Sequence, residues 1–323
     1  MLSVTEGPAD VAYRSVGNAR KTLMAGFTTV RDFGGQVTVA LSRAEEKGWV
    51  ESPRVIPSRN SLGITGGHCD ATGFAPGIRE LGPEEGIADG VDEVVEAVRY
   101  QIKHGAKWIK TCATAGVLSF EGPVGAQQYS YEELRAMVEE AGRHGVKVAA
   151  HAHGTEGIIA AVRAGVASIE HGSMLDDEAI RLMKENGTYL VPTTYLADSI
   201  DLDALPPPIR AKAEYVMPIA KESVRRAIRS GVKIAFGTDS AVYPHGENPR
   251  EFISLVDRGM SPLEALRAAT LYAADLLGLE DRGVIEAGRL ADLVAVPGDP
   301  TQQIEVMEQV LFVMKGGEVH KSP

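Results

Sequence analysis

The chain has 323 residues, of which 44% are hydrophobic and 24% charged, and its formal net charge is -11 at pH 7. This composition is typical of a globular protein with a sizeable core, and it excludes a disordered or fibrous chain. Because a broad nucleic-acid-binding surface must be basic to contact phosphates, the acidic balance also argues against a nucleic-acid partner.

Three further features concern the compartment. No segment has the roughly 18 to 20 consecutive apolar residues that a membrane helix needs, so no membrane partner is expected. The two cysteines, Cys69 and Cys112, are too few for a disulfide framework and fit a reducing compartment. The opening residues, MLSVTEGPADV, have neither the basic nor the apolar region of a secretory signal. We therefore expect a cytoplasmic protein.

One sequence pattern recurs along the chain and indicates its predicted strands. A glycine suited to the end of a helix precedes an apolar, β-branched run, as in AGFTTVRD, HGVKVAAH and SGVKIAFGTD. Such a run is typical of a parallel strand covered on both faces. The seven predicted strands are centred near residues 27, 54, 108, 147, 167, 189 and 233. Segments of helical periodicity separate them, which predicts a parallel β/α architecture, although a closed TIM-type barrel needs about eight strands.

The region after the last predicted strand differs in pattern. Two helical segments are followed by short alternating runs separated by Gly and Pro, which predict a small β appendage. We place the domain boundary near residue 280, so that residues 1–280 form the barrel and residues 281–323 the appendage.

Polar residues stand at the carboxyl ends of the predicted strands, where barrels of this type carry their reacting groups. They are Asp32, Lys110, His151, His171, Thr193 and Asp239. A lone strand-end histidine is usually a hydrogen-bonded core residue, but two histidines with an aspartate favour an open metal site. Lys110 must then be deprotonated, paired with a carboxylate or converted to a carbamate. For Asp32 we expect a pairing with a neighbouring arginine.

The remaining histidines divide into two groups. His153 shares a strand face with His151 and is a candidate for a second metal ligand, a supporting residue or a substrate contact, with a purely structural role as the alternative. His68 in ITGGHCD and His245 in YPHGEN lie in loops at the same end of the barrel and are candidate functional residues. His104, His144 and His320 are assigned no function, and the first two stand at predicted helix ends where a cation suits the helix dipole.

With these residues in place, the chain resembles the amidohydrolase superfamily, specifically its imidazolonepropionase-like, prolidase and Lys/Arg carboxypeptidase-like branch. The matching segments include LMAGFTTVRDFGG, TGGHCD, WIKTCATAG, AAHAHGTEGI, KIAFGTDS and GVIEAGRLADLVAVPGDP. The resemblance covers nearly the whole chain. It implies a TIM-type (β/α)8 barrel with a small β-sandwich.

The resemblance also implies the chemistry of the site. Lys110 would be carboxylated and bridge two divalent metals, usually zinc, of which His151 and His171 bind one and Asp239 the other. The site would hold one or both of these ions. A metal-held hydroxide would attack an amide carbonyl, and Asp239 would pass a proton to the leaving amine. His68, His153 and His245 would bind the substrate carboxylate. The implied enzyme is a dipeptidase or carboxypeptidase-like amidohydrolase that acts on a dipeptide, an N-acyl amino acid or another small molecule.

One departure from the family pattern divides the functional hypotheses. Relatives begin with part of the sandwich and a first strand ending in His-X-His, which this sequence does not contain. We therefore expect a barrel without its first strand, a C-terminal sandwich remnant and a homo-oligomer that covers the open edges. The alternative is a catalytically impaired barrel that acts only as a scaffold or binding protein.

Overall fold

Parallel strands and helices alternate through most of the chain. The computed structural model describes residues 5–323. Up to residue 171 the elements are α1 (Pro8–Met24), β1 (Thr29–Asp32), α2 (Gln36–Glu46), β2 (Arg54–Pro57), α3 (Gly90–Lys103), β3 (Trp108–Cys112), α4 (Tyr131–Arg143), β4 (Lys147–Ala152), α5 (Thr155–Ala164) and β5 (Ser168–His171). Beyond it they are α6 (Asp177–Asn186), β6 (Tyr189–Val191), α7 (Leu196–Ser199), α8 (Pro207–Arg229), α9 (Arg250–Asp257), α10 (Pro262–Ala269), α11 (Leu271–Leu277), β7 (Leu293–Ala295), β8 (Phe312–Lys315) and β9 (Glu318–Lys321).

The first four residues lie outside the described part of the chain. They belong to the predicted barrel unit, residues 1–280, and to the opening stretch in which no secretory signal was found.

Six of the predicted strands are confirmed, and they pair in parallel. β1 pairs with β2, and β3 to β6 form a second parallel sheet in chain order. The two sheets are linked where Lys107 N donates to the carbonyl of Pro57 over 2.7 Å and where Leu62 forms a parallel bridge with Thr111. The result is a curved parallel sheet of the α/β kind, consistent with a TIM-like barrel.

The seventh predicted strand, near residue 233, is reduced to one bridge. Ile234 bridges Leu190 in parallel, and Leu190 N donates to Lys233 O over 2.8 Å. Phe236 N instead donates to the carbonyl of Ala268 in the last turn of α10, over 3.0 Å. A regular ladder ends here because the segment has a strand partner on only one side among residues 5–323.

The opposite edge of the curved sheet belongs to β1. Among the described residues, β1 pairs only with β2, so its outer edge has no strand beside it. Residues 8–24 form α1 and so provide no strand for this edge. Phe27 and Phe236 contact each other across the open side, with ring centroids 5.5 Å apart.

The core has an outer and an inner part. The outer part packs the helices on the sheet and includes Val94, Met137 and Ile158. The inner part lies within the curve of the sheet, around Trp108 and Tyr189. The inner part closes one end of the barrel and leaves the carboxyl ends of the strands open to the connecting loops.

The C-terminal strands β7, β8 and β9 form a separate antiparallel sheet. Its Val313 packs with Val310 and with Leu23 of α1. Two ion pairs also attach it to the barrel: Arg54 with Asp292 at 2.6 Å and Lys315 with Glu45 at 2.7 Å.

Within residues 5–323, every helix is too short or too polar to cross a membrane.

Candidate active site

Three of the predicted strand-end residues have unusual backbone conformations. His171, Thr193 and Asp239 have positive φ angles of 72°, 48° and 52°. Non-glycine residues rarely adopt this left-handed conformation, because their Cβ atoms crowd the backbone. Such strain concentrates at functional sites, where the surrounding structure holds it in place. These residues therefore turn the chain sharply where strands give way to loops.

Three imidazoles meet at the carboxyl ends of β4 and β5. The rings of His151, His153 and His171 have centroids 4.6 to 4.9 Å apart. One potential ligand atom from each residue lies within 4.8 Å of the others. His68 stacks on the ring of His151 at 4.3 Å. The structure thus brings together four histidines from three separate segments of the chain.

Hydrogen bonds fix two of the three clustered rings. His171 Nδ1 lies 2.7 Å from Thr193 Oγ1, and His153 Nδ1 lies 2.7 Å from Ser173 Oγ. His151 Nε2 is buried and has no hydrogen-bond partner in the described part of the chain. A buried nitrogen without a partner carries a free-energy penalty, so this atom is poised to meet a ligand.

Burial keeps the clustered rings neutral. It lowers the pKa of His151 and His171 well below the ordinary value, and it lowers the pKa of His153 to about 3. The positive charge of Lys110 lowers all three further. Neutral imidazoles present lone pairs, which is the form that binds divalent metals.

Lys110 and Asp239 line the same cavity as this cluster, and the Lys110 side chain is buried. Burial lowers the pKa of Lys110 to about 8, although the charges of Glu170 and Asp239 oppose that shift. Burial raises the pKa of Asp239, and the charge of Lys110 opposes the rise. Glu170 is itself paired with Arg31 of β1 at 2.8 Å, and this ion pair crosses the barrel interior beneath the site.

All the predicted site residues line one cavity of about 750 Å³. They are His68, Lys110, His151, His153, His171, Asp239 and His245. His245 lies apart from the imidazole cluster, with Nδ1 3.2 Å from Thr22 Oγ1 of α1. The predicted pairing of Asp32 with an arginine is wrong: its carboxylate accepts a bond from Gly34 N over 2.7 Å, closing a tight turn after β1.

The two cysteines of the chain pair with each other. Cys69 and Cys112 are joined in a disulfide, with Cα atoms 6.1 Å apart. The bond ties the residue after His68 to the last residue of β3, two positions beyond Lys110. Because persistent disulfides favour oxidising compartments, it weighs against the reducing compartment that the low cysteine count suggested.

Removing the disulfide is expected to lower stability. The Cys69→Ser/Cys112→Ser variant should lose about 2–4 kcal/mol of unfolding free energy, since the bond closes a long loop in the unfolded chain. Urea unfolding with and without reductant would measure this loss. Reductant should destabilise the wild type and leave the variant unchanged. Two free thiols in the oxidised, denatured wild type would contradict the assignment.

Sequence reasoning missed Glu251 on α9. Its buried carboxylate accepts bonds from Thr194 N at 2.8 Å and Tyr195 N at 2.7 Å. It thereby anchors the chain just after Thr193, whose hydroxyl contacts His171. The available signal was an acidic residue beside Phe252 on the buried face of an amphipathic helix.

Glu251 should make stability depend on pH. Burial raises its pKa from 4.5 to about 8, so the folded state takes up a proton that the unfolded state releases. The contribution of Glu251 to the free energy of unfolding is fully present below pH 4.5 and is lost as the pH rises to about 8. Against Glu251→Gln, the wild-type unfolding free energy should fall by up to roughly 1.4 kcal/mol per pH unit within that window. Urea unfolding at several pH values measures this difference. If the unfolding free energies of the wild type and the variant changed in parallel with pH, the assignment of the effect to Glu251 would be wrong.

Comparison with known proteins identifies the family. A model of the amidohydrolase family matches residues 1–320. Ochratoxinase from Aspergillus niger is 36% identical over 338 residues, covering 98% of this chain and 70% of that enzyme. Imidazolonepropionase from Deinococcus deserti is 30% identical over 182 residues, covering 53% of this chain and 40% of that enzyme.

A solved structure agrees with these sequence matches. The crystal structure of a Xaa-Pro dipeptidase with bound methionine in the active site shares 41% identity and a TM-score of 0.94, covering 98% of this chain and 80% of that chain. The family resemblance found in the sequence is therefore confirmed: the chain belongs to the amidohydrolase family and is an enzyme, a hydrolase.

Proposed function

We propose that this protein is a metal-dependent hydrolase of amide bonds in dipeptides or N-acyl amino acids, with dipeptidase or carboxypeptidase-like specificity. One observation carries the proposal: the imidazole cluster of His151, His153 and His171 shares a buried cavity with Lys110 and Asp239. The similarity to ochratoxinase and to a Xaa-Pro dipeptidase supports amide-bond hydrolysis as the reaction class.

The donor set fits a divalent metal. We propose Lys110, His151, His171 and Asp239 as its ligands, and His153 is close enough to contribute as well. The unpartnered Nε2 of His151 supports this, since a metal would satisfy a nitrogen that nothing else in the described chain reaches. When bound, a metal such as zinc would lower the pKa of a water molecule and polarise a carbonyl oxygen.

Lys110 would contribute in an altered form. Its lowered pKa, about 8, leaves a substantial neutral fraction near neutrality, and a neutral amine can add to carbon dioxide. In that reaction an N–C bond forms and the amine loses one proton, which gives a carbamate with two oxygen ligands. We propose this carboxylated form because a protonated lysine would repel a cation and present no lone pair.

Asp239 would manage the proton of the reaction. Burial raises its pKa, so the carboxylate is a better base than an exposed aspartate. We propose that Asp239 receives a proton from the attacking water and delivers it to the nitrogen of the departing amine. Proton transfer of this kind contributes about 10² to 10⁴ in rate.

The substrate would be held by the histidines around the cavity. We propose that His68, His153 and His245 contact the carboxylate of the substrate. All three line the cavity, and none of them is among the four proposed metal ligands. The position of His245 near α1, beside Thr22, places it where a group remote from the scissile bond would lie.

Three finer structural points belong to the same proposal. A further strand would lie between β1 and residues 232–236, the two edges that lack a partner on one side within residues 5–323. Residues 1–280 would be the hydrolase barrel, and residues 281–323 a remnant of a small β-sandwich. A homo-oligomer that covers the two edges would appear in sedimentation velocity as a species heavier than one chain.

Metal analysis combined with an activity screen tests the function. We expect at least one divalent ion per chain and turnover of some N-acyl amino acids or dipeptides in a library that varies the C-terminal residue. A chelator should abolish turnover, and zinc should restore it. If the protein held far less than one metal ion per chain and hydrolysed no substrate in the library, a scaffold or binding role would be favoured instead.

A further inference from the structure

His68 reaches the imidazole cluster from a loop, and a second loop packs against it. The first loop follows β2 and the second follows β3. The His68 ring lies so close to Gly116 in the second loop that a Cβ atom at that position would overlap it. His68 N also donates to Gln128 Oε1 over 3.1 Å. The position of His68 therefore depends on the loop after β3.

The Nδ1 atom of His68 meets two acceptors in this second loop. Ser119 Oγ lies 2.8 Å away and Glu121 Oε1 lies 3.0 Å away. The Ser119 hydroxyl in turn donates to Glu121. The Glu121 side chain is only 7% exposed, although it comes from a loop rich in glycine. Burial alone would raise its pKa, but the bonds from Ser119 and His68 help to lower it, so the carboxylate is ionised.

Helix α8 fixes the same segment from behind. The ammonium of Lys212 donates to the carbonyls of Ser119 and Glu121 over 2.9 Å and 3.0 Å. On the opposite side, the disulfide holds Cys69 against β3. The carboxylate and the imidazole are thus each anchored independently, so their contact does not depend on a single flexible loop.

We propose that Glu121 is a positioning residue that acts through His68, and this inference rests on the proposed function. A carboxylate has only acceptors, so it requires hydrogen on Nδ1 of His68. Nε2 is then the nitrogen left to engage a substrate, and the ring is held in one orientation over His151. Carboxylates that orient metal-ligating histidines contribute about 10–100-fold to metal affinity or activity, and we expect an effect of similar size at His68.

A double-mutant cycle tests the coupling. We expect Glu121→Ala to lower kcat/KM by about 10–100-fold. In a His68→Ala background the same change should have less than about a twofold effect, because the group that it positions is gone. Glu121→Gln, which keeps an acceptor, should recover part of the loss. Glu96→Ala, at an exposed position of α3, should behave as wild type. Equal losses in both backgrounds would show a general structural role and overturn the proposal.

A second readout does not depend on activity. In protein with ¹⁵N-labelled histidine, long-range ¹H–¹⁵N spectra distinguish the two imidazole tautomers, and His68→Ala identifies the signals. We expect His68 to carry hydrogen on Nδ1 in the wild type and to become a mixture in Ser119→Ala/Glu121→Ala. An unchanged tautomer in that variant would overturn the proposal. If the wild type hydrolyses no amide while the tautomer shifts as expected, the proposed function fails and the positioning stands.

Discussion

Replacing His151 with alanine is expected to remove the bound metal and to lower kcat/KM by at least ~10³-fold, since a metal supplies several kcal/mol of transition-state stabilisation. His151 lies at the centre of the cluster, within 5 Å of three other rings by centroid distance, between 4.3 and 4.7 Å. Its removal would therefore take away a ligand and loosen the rings around it. Metal content by mass spectrometry and steady-state kinetics measure the two effects.

His104→Ala is the matched control for this prediction. His104 caps the end of α3, and its ring contacts that of Tyr100 at a tilt, with centroids 4.4 Å apart. The control variant should keep both metal and activity. If His151→Ala retained the metal at wild-type stoichiometry, the assignment of this residue as a ligand would be wrong.

Replacing Asp239 with asparagine should have the second-largest effect, a loss of about 10²- to 10⁴-fold in kcat, because an amide cannot carry the proton. The loss should depend on the leaving group. A p-nitroanilide, whose amine departs without full protonation, should lose much less activity than an alkyl amide. Parallel kinetics on the two substrates therefore separate proton delivery from other functions of Asp239.

Asp32→Asn provides the control for Asp239→Asn. Both carboxylates line the same cavity, but Asp32 serves to bond Gly34 N, and asparagine retains that acceptor. The control should keep activity within a few-fold of wild type. An equal loss on both substrates for Asp239→Asn would contradict a role in protonating the leaving amine.

Local sequence patterns predicted most of the strand positions. The helix-ending glycine and the apolar run after it depend on backbone conformation and burial, which are properties of neighbouring residues. The same patterns pointed to His151 and His171, because a polar residue that ends a buried strand is conspicuous. The segment at residue 233 was less predictable, since its ladder depends on a partner strand that the local pattern cannot reveal.

Contacts between distant segments were not predictable in this way. The Arg31–Glu170 pair joins residues 139 positions apart, and the Cys69–Cys112 disulfide joins residues 43 positions apart. Glu121 carried no local signal, because SFEGP reads as an ordinary polar loop. The sequence left the role of His153 open between a metal ligand, a supporting residue and a substrate contact, and its ring packs against that of His171 with centroids 4.9 Å apart. Each of these arrangements is created by tertiary packing, which local sequence patterns do not encode.

X-ray absorption at the zinc edge of the zinc-loaded, dialysed protein tests the central claim most directly. We expect nitrogen and oxygen scatterers at about 2.0–2.1 Å together with the outer-shell pattern of imidazole. His151→Ala/His171→Ala should lose this signal while remaining folded. A wild-type protein that retains no zinc after dialysis, or a spectrum without imidazole scattering, would contradict the claim that these strand-end histidines form a metal centre.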